Sequence, residues 1–322
     1  MRKFFIFFFI SGLSLFLIDR GLAFFFDHLY VKIRTGQTGG KINSYLSQPS
    51  AVQLVILGNS RALYQVIPDS FKIPAYNLSH AGMSQIFQTG LVSVLHDNVR
   101  MPRIILIHLE PEEFNGEQYN NDIQNLKFYY SRNELITSYL QSLSYFEKFK
   151  FYFHSYRYNG RVIPLTKNYF QTIRTPGNDN GYSLIRRTEK DSINTIYSSK
   201  NLSRPVEEKF NFEQWSYFEK FLDICKQTNT RVICFTSPVY KDSSSYLNTT
   251  KTIDSLMKKN NIRYINYMNS PITELNQHPS FWRDRYHLNH EGARIESEYL
   301  ARNVNEVIQA NSSSKNDSIP PL

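Results

Sequence analysis

The sequence predicts an α/β protein in which helices cover both faces of a parallel sheet. Five short runs are apolar at most positions, as strands buried on both faces are. Stretches with helical periodicity separate these runs, and such alternation is typical of a doubly covered sheet. The 322 residues are 41% hydrophobic and 20% charged, which excludes a disordered chain and a collagen-like fibre.

Each predicted strand is an apolar run of the length that buried strands have. In chain order the runs are Ala51–Leu57, Ala75–Ser79, Ile104–Glu110, Arg231–Ser237 and Ile262–Tyr267. The predicted helices are Ser84–Asp97, Phe212–Thr228, Thr249–Asn260 and His290–Val307. These elements predict an α/β domain over residues 31–310, followed by a polar, disordered tail at 311–322.

The region from about residue 115 to 209 interrupts the alternation and is rich in Phe and Tyr. Phe146, Phe149, Phe153 and Tyr156 lie at helical spacing within it. We therefore predict a helical insertion that packs on the carboxyl edge of the sheet. The alternative is a substrate platform, because aromatic faces stack on sugar rings or hold acyl chains.

The N-terminal segment has the pattern of a membrane helix. Two basic residues precede fifteen uncharged ones, Phe4–Ile18, and Gly21–Phe26 is apolar again after Asp19 and Arg20. Fifteen helical residues rise about 22 Å, less than the hydrocarbon core of roughly 30 Å, so a full span must include the charged pair or place it near the interface. We predict a signal anchor over residues 1–30.

Two alternatives to the signal anchor stay open. A basic start before a short apolar run is also the pattern of a signal peptide, and Gly21-Leu22-Ala23 is a weak cleavage site. A buried core helix is the other. With the anchor uncleaved and its N-terminus inside, the chain is predicted to face the extracytoplasmic side of the cytoplasmic membrane, in the periplasm or at the cell surface.

The chain carries 37 Lys and Arg against 28 Asp and Glu, a formal net charge of +9. The positive residues are scattered, with no basic run and no zinc-ligand spacing, so we predict no nucleic-acid partner. The charge suits a position near anionic lipid head groups. Two cysteines, Cys225 and Cys234, are too few for a disulfide framework. We predict two buried free thiols, and a single disulfide between them is the alternative.

A polar turn follows the first predicted strand directly, at Gly58-Asn59-Ser60-Arg61. Open α/β sheets place their sites at the carboxyl ends of strands, and a Ser there projects its hydroxyl above the sheet. Taken alone, Gly-Asn-Ser is also a common turn sequence with no catalytic role. Ser60 is nevertheless our candidate nucleophile, because of a second motif near the C-terminus.

That second motif places Asp284 three residues before His287. In such a pair the carboxylate holds the imidazole tautomer, and the other ring nitrogen is free to take a proton from a serine hydroxyl. A metal site using Asp284, His287 and His290 is the alternative, but it lacks an obvious further ligand. We predict no metal and no cofactor.

A third motif, Tyr76 to Gly82, ends the second predicted strand, and Gly82 can direct a backbone N–H toward the same edge of the sheet. The three motifs together resemble those of the SGNH, or GDSL-like, hydrolases. The resemblance implies a flavodoxin-like α/β/α sandwich with strand order 2-1-3-4-5. It also implies Ser60 as nucleophile, His287 as base, Asp284 as its orienting group, and the Ser60 and Gly82 N–H groups as oxyanion donors.

The chain departs from that family where a third block supplies an Asn to the oxyanion. Here the third strand ends in His108-Leu109-Glu110, and an ionised Glu110 would repel an oxyanion. We hypothesise that Arg61 pairs with Glu110 and leaves guanidinium N–H groups facing the site. Arg61 and Asn59 therefore join Gly82 as predicted oxyanion- or substrate-binding residues.

With its N-terminal helix, the chain is similar to extracytoplasmic SGNH-like proteins of cell-envelope acylation, such as the DltD-like and alginate acetylation proteins. The resemblance implies a serine-dependent hydrolase of acylated carbohydrates or small esters. An O-acyltransferase acetylating an envelope polysaccharide, with a partner acyltransferase, is one alternative. A non-catalytic polysaccharide-binding or scaffold component, suggested by the missing third-block Asn, is the other.

Overall fold

The computed structural model describes residues 1–48, 52–116, 120–174, 180–186, 207–240 and 246–316, with side chains to residue 309. The chain divides into two compact units. The first comprises Met1–Pro49, Ile86–Arg100 and Tyr119–Asn178, and the second Ser50–Gln85, Met101–Gln118 and Asp179–Leu322. The second unit contains the sheet and all the candidate site residues.

The sheet confirms the predicted fold class and strand order. Its five strands are all parallel and are ordered β2-β1-β3-β4-β5. They are β1 (Leu54–Leu57), β2 (Ala75–Asn77), β3 (Ile104–His108), β4 (Arg231–Thr236) and β5 (Arg263–Asn266). All residues of β1 and β3 are buried, because helices cover a parallel sheet on both faces.

The helices of the second unit lie close to their predicted positions. They are α3 (Ser60–Gln65), α8 (Phe212–Gln227), α9 (Leu247–Lys259), α10 (Thr273–Gln277) and α11 (His290–Asn316), with 3₁₀ turns at Pro68–Ser70, Pro111–Phe114 and Pro279–Phe281. The last helix runs into the segment predicted to be a disordered tail, of which 317–322 lies outside the described residues. Cys225 and Cys234 are buried free thiols.

A short segment that the sequence did not predict runs beside the edge strand β2. The N–H of Asn77 donates to the carbonyl of Asn180 at 2.8 Å, and the N–H of Ser183 donates to the carbonyl of Leu63 at 3.2 Å. The N–H of His290 donates to the carbonyl of Ile185 at 3.1 Å. The bond to Asn77 occupies an N–H group of the edge strand, and the other two bonds join the segment to α3 and α11.

The first unit is helical. It contains α1 (Arg2–Tyr30), α2 (Gly40–Leu46), most of α4 (Gln85–Asp97), α5 (Glu134–Ser142), α6 (Glu147–Lys150), α7 (Val162–Arg174) and 3₁₀ helices at Asn120–Tyr129 and His154–Tyr158. Residues 120–174 of the insertion are mostly helical, as predicted, but its aromatic stretch is split between α6 and a 3₁₀ helix. Its packing against the sheet stays a prediction. Among the described residues, α1 alone is long and apolar enough to cross a membrane.

Candidate active site

The candidate nucleophile lies at the junction of β1 and α3. Asn59 is the N-cap of α3, and its Oδ1 accepts the backbone N–H of Arg61 at 3.0 Å. Ser60 is the first helical residue, so its own N–H belongs to the turn whose N–H groups have no acceptor within the helix. The serine is thus held at the carboxyl end of a central strand.

Gly58 makes this tight junction possible. Its φ is 142°, in a region that side chains rarely allow, and a Cβ there would lie 2.6 Å from the Cβ of His108 and 2.9 Å from that of Ala62. We expect Gly58→Ala to lower the free energy of unfolding by roughly 2–5 kcal/mol, through strain and overpacking together. Urea unfolding monitored by circular dichroism measures this loss.

The matched control for that substitution is Gly116→Ala. Gly116 also has a positive φ, of 64°, but no atom of the described residues lies within 4 Å of the position that a Cβ would take there. We therefore expect only the strain cost of about 1 kcal/mol at this residue. An equal loss in both variants would contradict the role of the close contact with His108.

A hydrogen-bonded chain connects the serine to the Asp–His pair. The Ser60 Oγ lies 2.9 Å from His287 Nε2, and His287 Nδ1 lies 3.0 and 3.1 Å from the two carboxylate oxygens of Asp284. When Nδ1 carries the proton and donates it to Asp284, Nε2 is free to accept the serine proton. The structure therefore brings the three predicted catalytic residues into one continuous chain of hydrogen-bonding contacts.

Asp284 is held as an anion. Its Oδ1 accepts the backbone N–H groups of Tyr286 at 2.9 Å and His287 at 2.8 Å. Burial raises the pKa of this carboxyl, but hydrogen bonding and charge from His287, with donors on Tyr286 and Arg283, outweigh it and hold the pKa well below its usual range. A carboxylate that stays ionised can orient His287 and stabilise the imidazolium form.

Arg283 is a site residue that sequence analysis missed. Its Nε donates to Asp284 Oδ2 at 2.8 Å, and its guanidinium lies 5.9 Å from the ring centre of Tyr64. The Tyr64 ring in turn meets the His287 ring edge-on, with 6.3 Å between centres. Arg283 directly precedes Asp284 in the sequence, and this position beside the predicted catalytic carboxylate is the signal that could have identified it. A terminal guanidinium nitrogen of Arg283 also lies 3.0 Å from His287 Nδ1, so this arginine contacts both members of the Asp–His pair.

The hypothesised Arg61–Glu110 pair is present. Arg61 is buried, and one terminal nitrogen donates to both oxygens of Glu110 at 3.0 and 2.9 Å. Its other terminal nitrogen donates to the carbonyls of Ser237 at 2.7 Å and Pro238 at 2.6 Å. The expectation that these N–H groups face the site is therefore wrong, because backbone carbonyls after β4 take them.

His108 forms part of the same buried layer and was not predicted as a site residue. Its Nε2 accepts the backbone N–H of Ser237 at 3.3 Å. Burial, with the charges of Arg61 and His287, holds the pKa of His108 well below its usual range. A neutral imidazole packed against Gly58 adds no positive charge beside Arg61.

Glu113 connects the loops that follow β1 and β2. Its carboxylate accepts the Asn59 Nδ2 at 3.0 Å and the Gln85 Nε2 at 3.1 Å. On the other side, the N–H of His80 donates to the carbonyl of Gly58 at 3.0 Å. Gly82 lies between these two tethers, exposed and with a positive φ of 71°. Both polar atoms of Asn59 are thus bonded within the protein, and the binding roles of Asn59 and Gly82 stay predictions.

Glu296 on α11 is a fully buried carboxyl near Arg61. Burial raises its pKa to about 7, against smaller lowering effects of the Ser237 hydroxyl and the Arg61 charge. The folded chain therefore keeps a proton that the unfolded chain releases above its ordinary pKa of 4.5. The stability from this group is complete at acid pH and is lost as the pH rises through about 7.

Because the folded pKa is raised, we expect Glu296→Gln to be more stable than the wild type at about pH 8, by roughly 3 kcal/mol, and nearly equal to it at about pH 4, below the unfolded pKa. Urea unfolding at the two pH values measures the difference. Glu298→Gln is the control, because Glu298 lies on the same helix with its side chain 47% exposed. A gain of equal size at both pH values would contradict the raised pKa.

The geometry does not favour the alternative metal site. Both ring nitrogens of His287 are engaged with Ser60 and Asp284, and His290 Nδ1 lies 3.1 Å from the Tyr182 hydroxyl. In the part of the chain that the structure describes, no three His, Cys, Asp or Glu side chains are grouped to hold a metal ion.

Comparison with known proteins finds similarity in structure only. No protein-family model matches the chain, and no curated protein is similar to it in sequence. The chain is similar to the structure of a candidate acylhydrolase from Bacteroides fragilis, at 12% identity and a TM-score of 0.42 over 83% of this chain and 94% of that one. It is also similar to a GDSL-like lipase from Bacteroides thetaiotaomicron, at 13% identity and a TM-score of 0.42 over 83% and 95%.

Proposed function

We propose that this protein is a serine-dependent hydrolase of acyl esters. The observation that carries the proposal is the continuous chain of contacts from Ser60 Oγ through His287 to Asp284, with distances of 2.9 and 3.0 Å. A serine hydroxyl is a weak nucleophile until an adjacent base takes its proton, and the base needs a third group to fix its tautomer. All three groups are present in the required order.

In the proposed reaction His287 Nε2 takes the proton of Ser60 as Oγ bonds to the ester carbonyl carbon. The tetrahedral oxyanion accepts hydrogen bonds from the backbone N–H groups of Ser60 and Gly82. His287 then protonates the leaving alcohol, and an acyl-enzyme forms on Ser60. Water attacks this ester with His287 again as base, which releases the acid and restores the serine hydroxyl.

The Arg61–Glu110 pair supports this use of the site. A lone carboxylate near the developing oxyanion would oppose it, whereas Glu110 is neutralised by two hydrogen bonds from Arg61. No side-chain amide replaces the Asn of the family's third block in this proposal. Losing one oxyanion donor costs about 2.7–4 kcal/mol in comparable enzymes, so we expect a slow esterase.

The test is fluorophosphonate labelling of the full chain in detergent or vesicles. We expect labelling of the wild type and none of Ser60→Ala or His287→Ala, because the probe reacts only with an activated serine. Ser216→Ala, at an exposed serine on α8, serves as the control and should label normally. A folded wild type that does not label would instead support a binding or scaffold role.

We further propose that the protein acts outside the cytoplasmic membrane, held by α1. The supporting observation is that apolar side chains of this helix are exposed as they are in helices surrounded by lipid: Phe4, Phe9 and Ile18 are 68%, 70% and 57% exposed. An acylated envelope carbohydrate is the substrate class that this location offers. If a sugar hydroxyl replaces water as the acceptor, adding acetylated and free oligosaccharides will yield transfer products, which mass spectrometry distinguishes from free acetate.

A further inference from the structure

Helix α1 has two halves with opposite surroundings. Every apolar side chain from Phe4 to Phe9 is at least half exposed, and Leu15 to Ile18 are likewise exposed. From Asp19 onward one face of the helix packs into the first unit, where Asp19, Ala23 and Tyr30 are buried, while Phe24 and Phe25 stay exposed. The exposed half, Arg2 to Ile18, rises about 25 Å, which approaches the thickness of a hydrocarbon core.

Asp19 marks the change between the two halves. Its carboxylate accepts the backbone N–H groups of His154 at 2.9 Å and Ser155 at 3.0 Å, and the Ser155 hydroxyl at 2.6 Å. The neighbouring Arg20 donates to the carbonyl of Tyr152 at 3.3 Å. The charged pair that interrupts the apolar sequence is therefore a docking point for the insertion.

The rest of α1 is fastened to the same unit. Asp27 accepts hydrogen bonds from the Tyr158 hydroxyl and from Arg132, and the Tyr30 ring stacks on Phe128 with centres 3.7 Å apart. Cleavage after Ala23 would remove the buried Asp19 and leave the N–H groups it binds without their acceptor. The contacts of α1 are those of a permanent part of the first unit.

The insertion carries a row of exposed aromatic side chains next to the segment that contacts Asp19 and Arg20 of α1. We call this row the aromatic ridge; it consists of Tyr145, Phe146, Phe149, Tyr152 and Phe153, which are between 43% and 72% exposed. Its rings touch one another, with centres 5.6 Å apart for Tyr145–Phe146 and 5.7 Å for Tyr145–Phe149. Contiguous apolar patches of this kind mark interaction sites.

An open groove of about 800 Å³ separates the ridge from α1. Its apolar lining comprises Leu22, Phe26, Phe146, Phe149, Phe153 and Val162. Because Leu22 lies one turn beyond Ile18, the groove adjoins the exposed apolar surface of α1. The ridge and the exposed half of the helix therefore form one continuous apolar surface.

Basic side chains border this surface. The Lys148 ammonium lies 4.9 Å from the Tyr145 ring centre and 5.2 Å from that of Phe149. Lys150 pairs with Glu147 at 2.6 Å, and Arg20 of α1 donates to the backbone carbonyl of Tyr152 in the ridge. Aromatic rings flanked by lysines, which keep their charge in water while their stems lie on apolar surface, are typical of the lipid head-group layer.

We propose that the aromatic ridge inserts into the interfacial layer of the bilayer that α1 crosses, with lipid acyl chains filling the groove. The proposal rests on the membrane location proposed above. The first unit is then held to the lipid surface at two places, the helix and the ridge. An anionic leaflet is the favoured surface, because the ridge carries lysines and the whole chain has a net charge of +9.

Tryptophan quenching by brominated lipids tests this with the full chain in vesicles of phosphatidylcholine and phosphatidylglycerol. We expect Phe149→Trp to lose most of its added emission to bromine near the head groups, and Phe9→Trp to bromine near the bilayer centre. Val31→Trp is the control, since Val31 is the C-cap of α1, lies about 20 Å beyond Ile18 and should not be quenched. The native Trp215 and Trp282 are buried, and the wild type supplies their background.

The outcomes separate the two proposals. Quenching of Phe9→Trp without quenching of Phe149→Trp overturns insertion of the ridge but leaves the membrane helix intact. Quenching of neither overturns the membrane location and the ridge with it. Equal quenching of Phe149→Trp and Val31→Trp overturns the proposal as well, because the contact with lipid would then not be specific to the ridge.

Discussion

Replacing Ser60 with Ala is expected to lower kcat/KM for a small ester by roughly 10⁴- to 10⁶-fold, because the acyl-enzyme can no longer form. His287→Ala should cost about as much, and the double variant should be no worse than either single one, since the two residues act as a unit. Hydrolysis of p-nitrophenyl acetate by the full chain measures the loss.

Asp284→Asn distinguishes the orienting role from a purely structural one. The amide keeps the shape of Asp284 but removes its charge and reverses the preferred tautomer of His287, so we expect a loss of about 10⁴-fold in kcat. Thermal unfolding must show that the variant is folded. Wild-type turnover in a folded Asp284→Asn protein would mean that the contact between Asp284 and His287 Nδ1 is not used in the reaction.

Replacing Arg61 with Met is expected to lower the free energy of unfolding by about 3–5 kcal/mol. The reason is that Arg61 is buried and holds four acceptors: both oxygens of Glu110 and the carbonyls of Ser237 and Pro238. Methionine fills the volume but leaves a carboxylate and two carbonyls without donors. Urea unfolding at neutral pH measures the effect.

A double variant separates the charge from the packing. Adding Glu110→Gln to Arg61→Met removes the uncompensated carboxylate, so the pair should recover part of the lost stability. Arg61→Lys should fall between wild type and Arg61→Met, because one ammonium cannot serve both Glu110 and the two carbonyls. A fully stable but inactive Arg61→Met would show that the arginine acts on the reaction, contrary to the donor directions in the structure.

The sheet could be predicted from sequence because a strand buried on both faces is apolar at nearly every position. The location of Ser60 followed from the same logic, since the carboxyl ends of parallel strands form one edge. The direction of the Arg61 side chain could not be predicted in this way. Its acceptors on Ser237 and Pro238 come from a loop more than a hundred residues away, and backbone carbonyls leave no trace in a sequence pattern.

The aromatic stretch shows a second limit of periodicity. Phe146, Phe149 and Phe153 fit one helix by spacing, yet α6 ends at Lys150. The N–H groups of His154 and Ser155 bond to Asp19 and not to carbonyls one helical turn earlier. A distant acceptor thus decides the local structure, and helical spacing gives no sign of it.

The burial of Asp19 sets where a water-soluble form of this protein can begin. A truncation after Tyr30, the natural end of α1, would also delete Asp19 and Asp27 and expose the face of the insertion that they bind. A chain that starts at Asp19 would keep those contacts while discarding the apolar half of the helix. Expression for solution work should therefore divide α1 within its length, between Ile18 and Asp19, and not at its end.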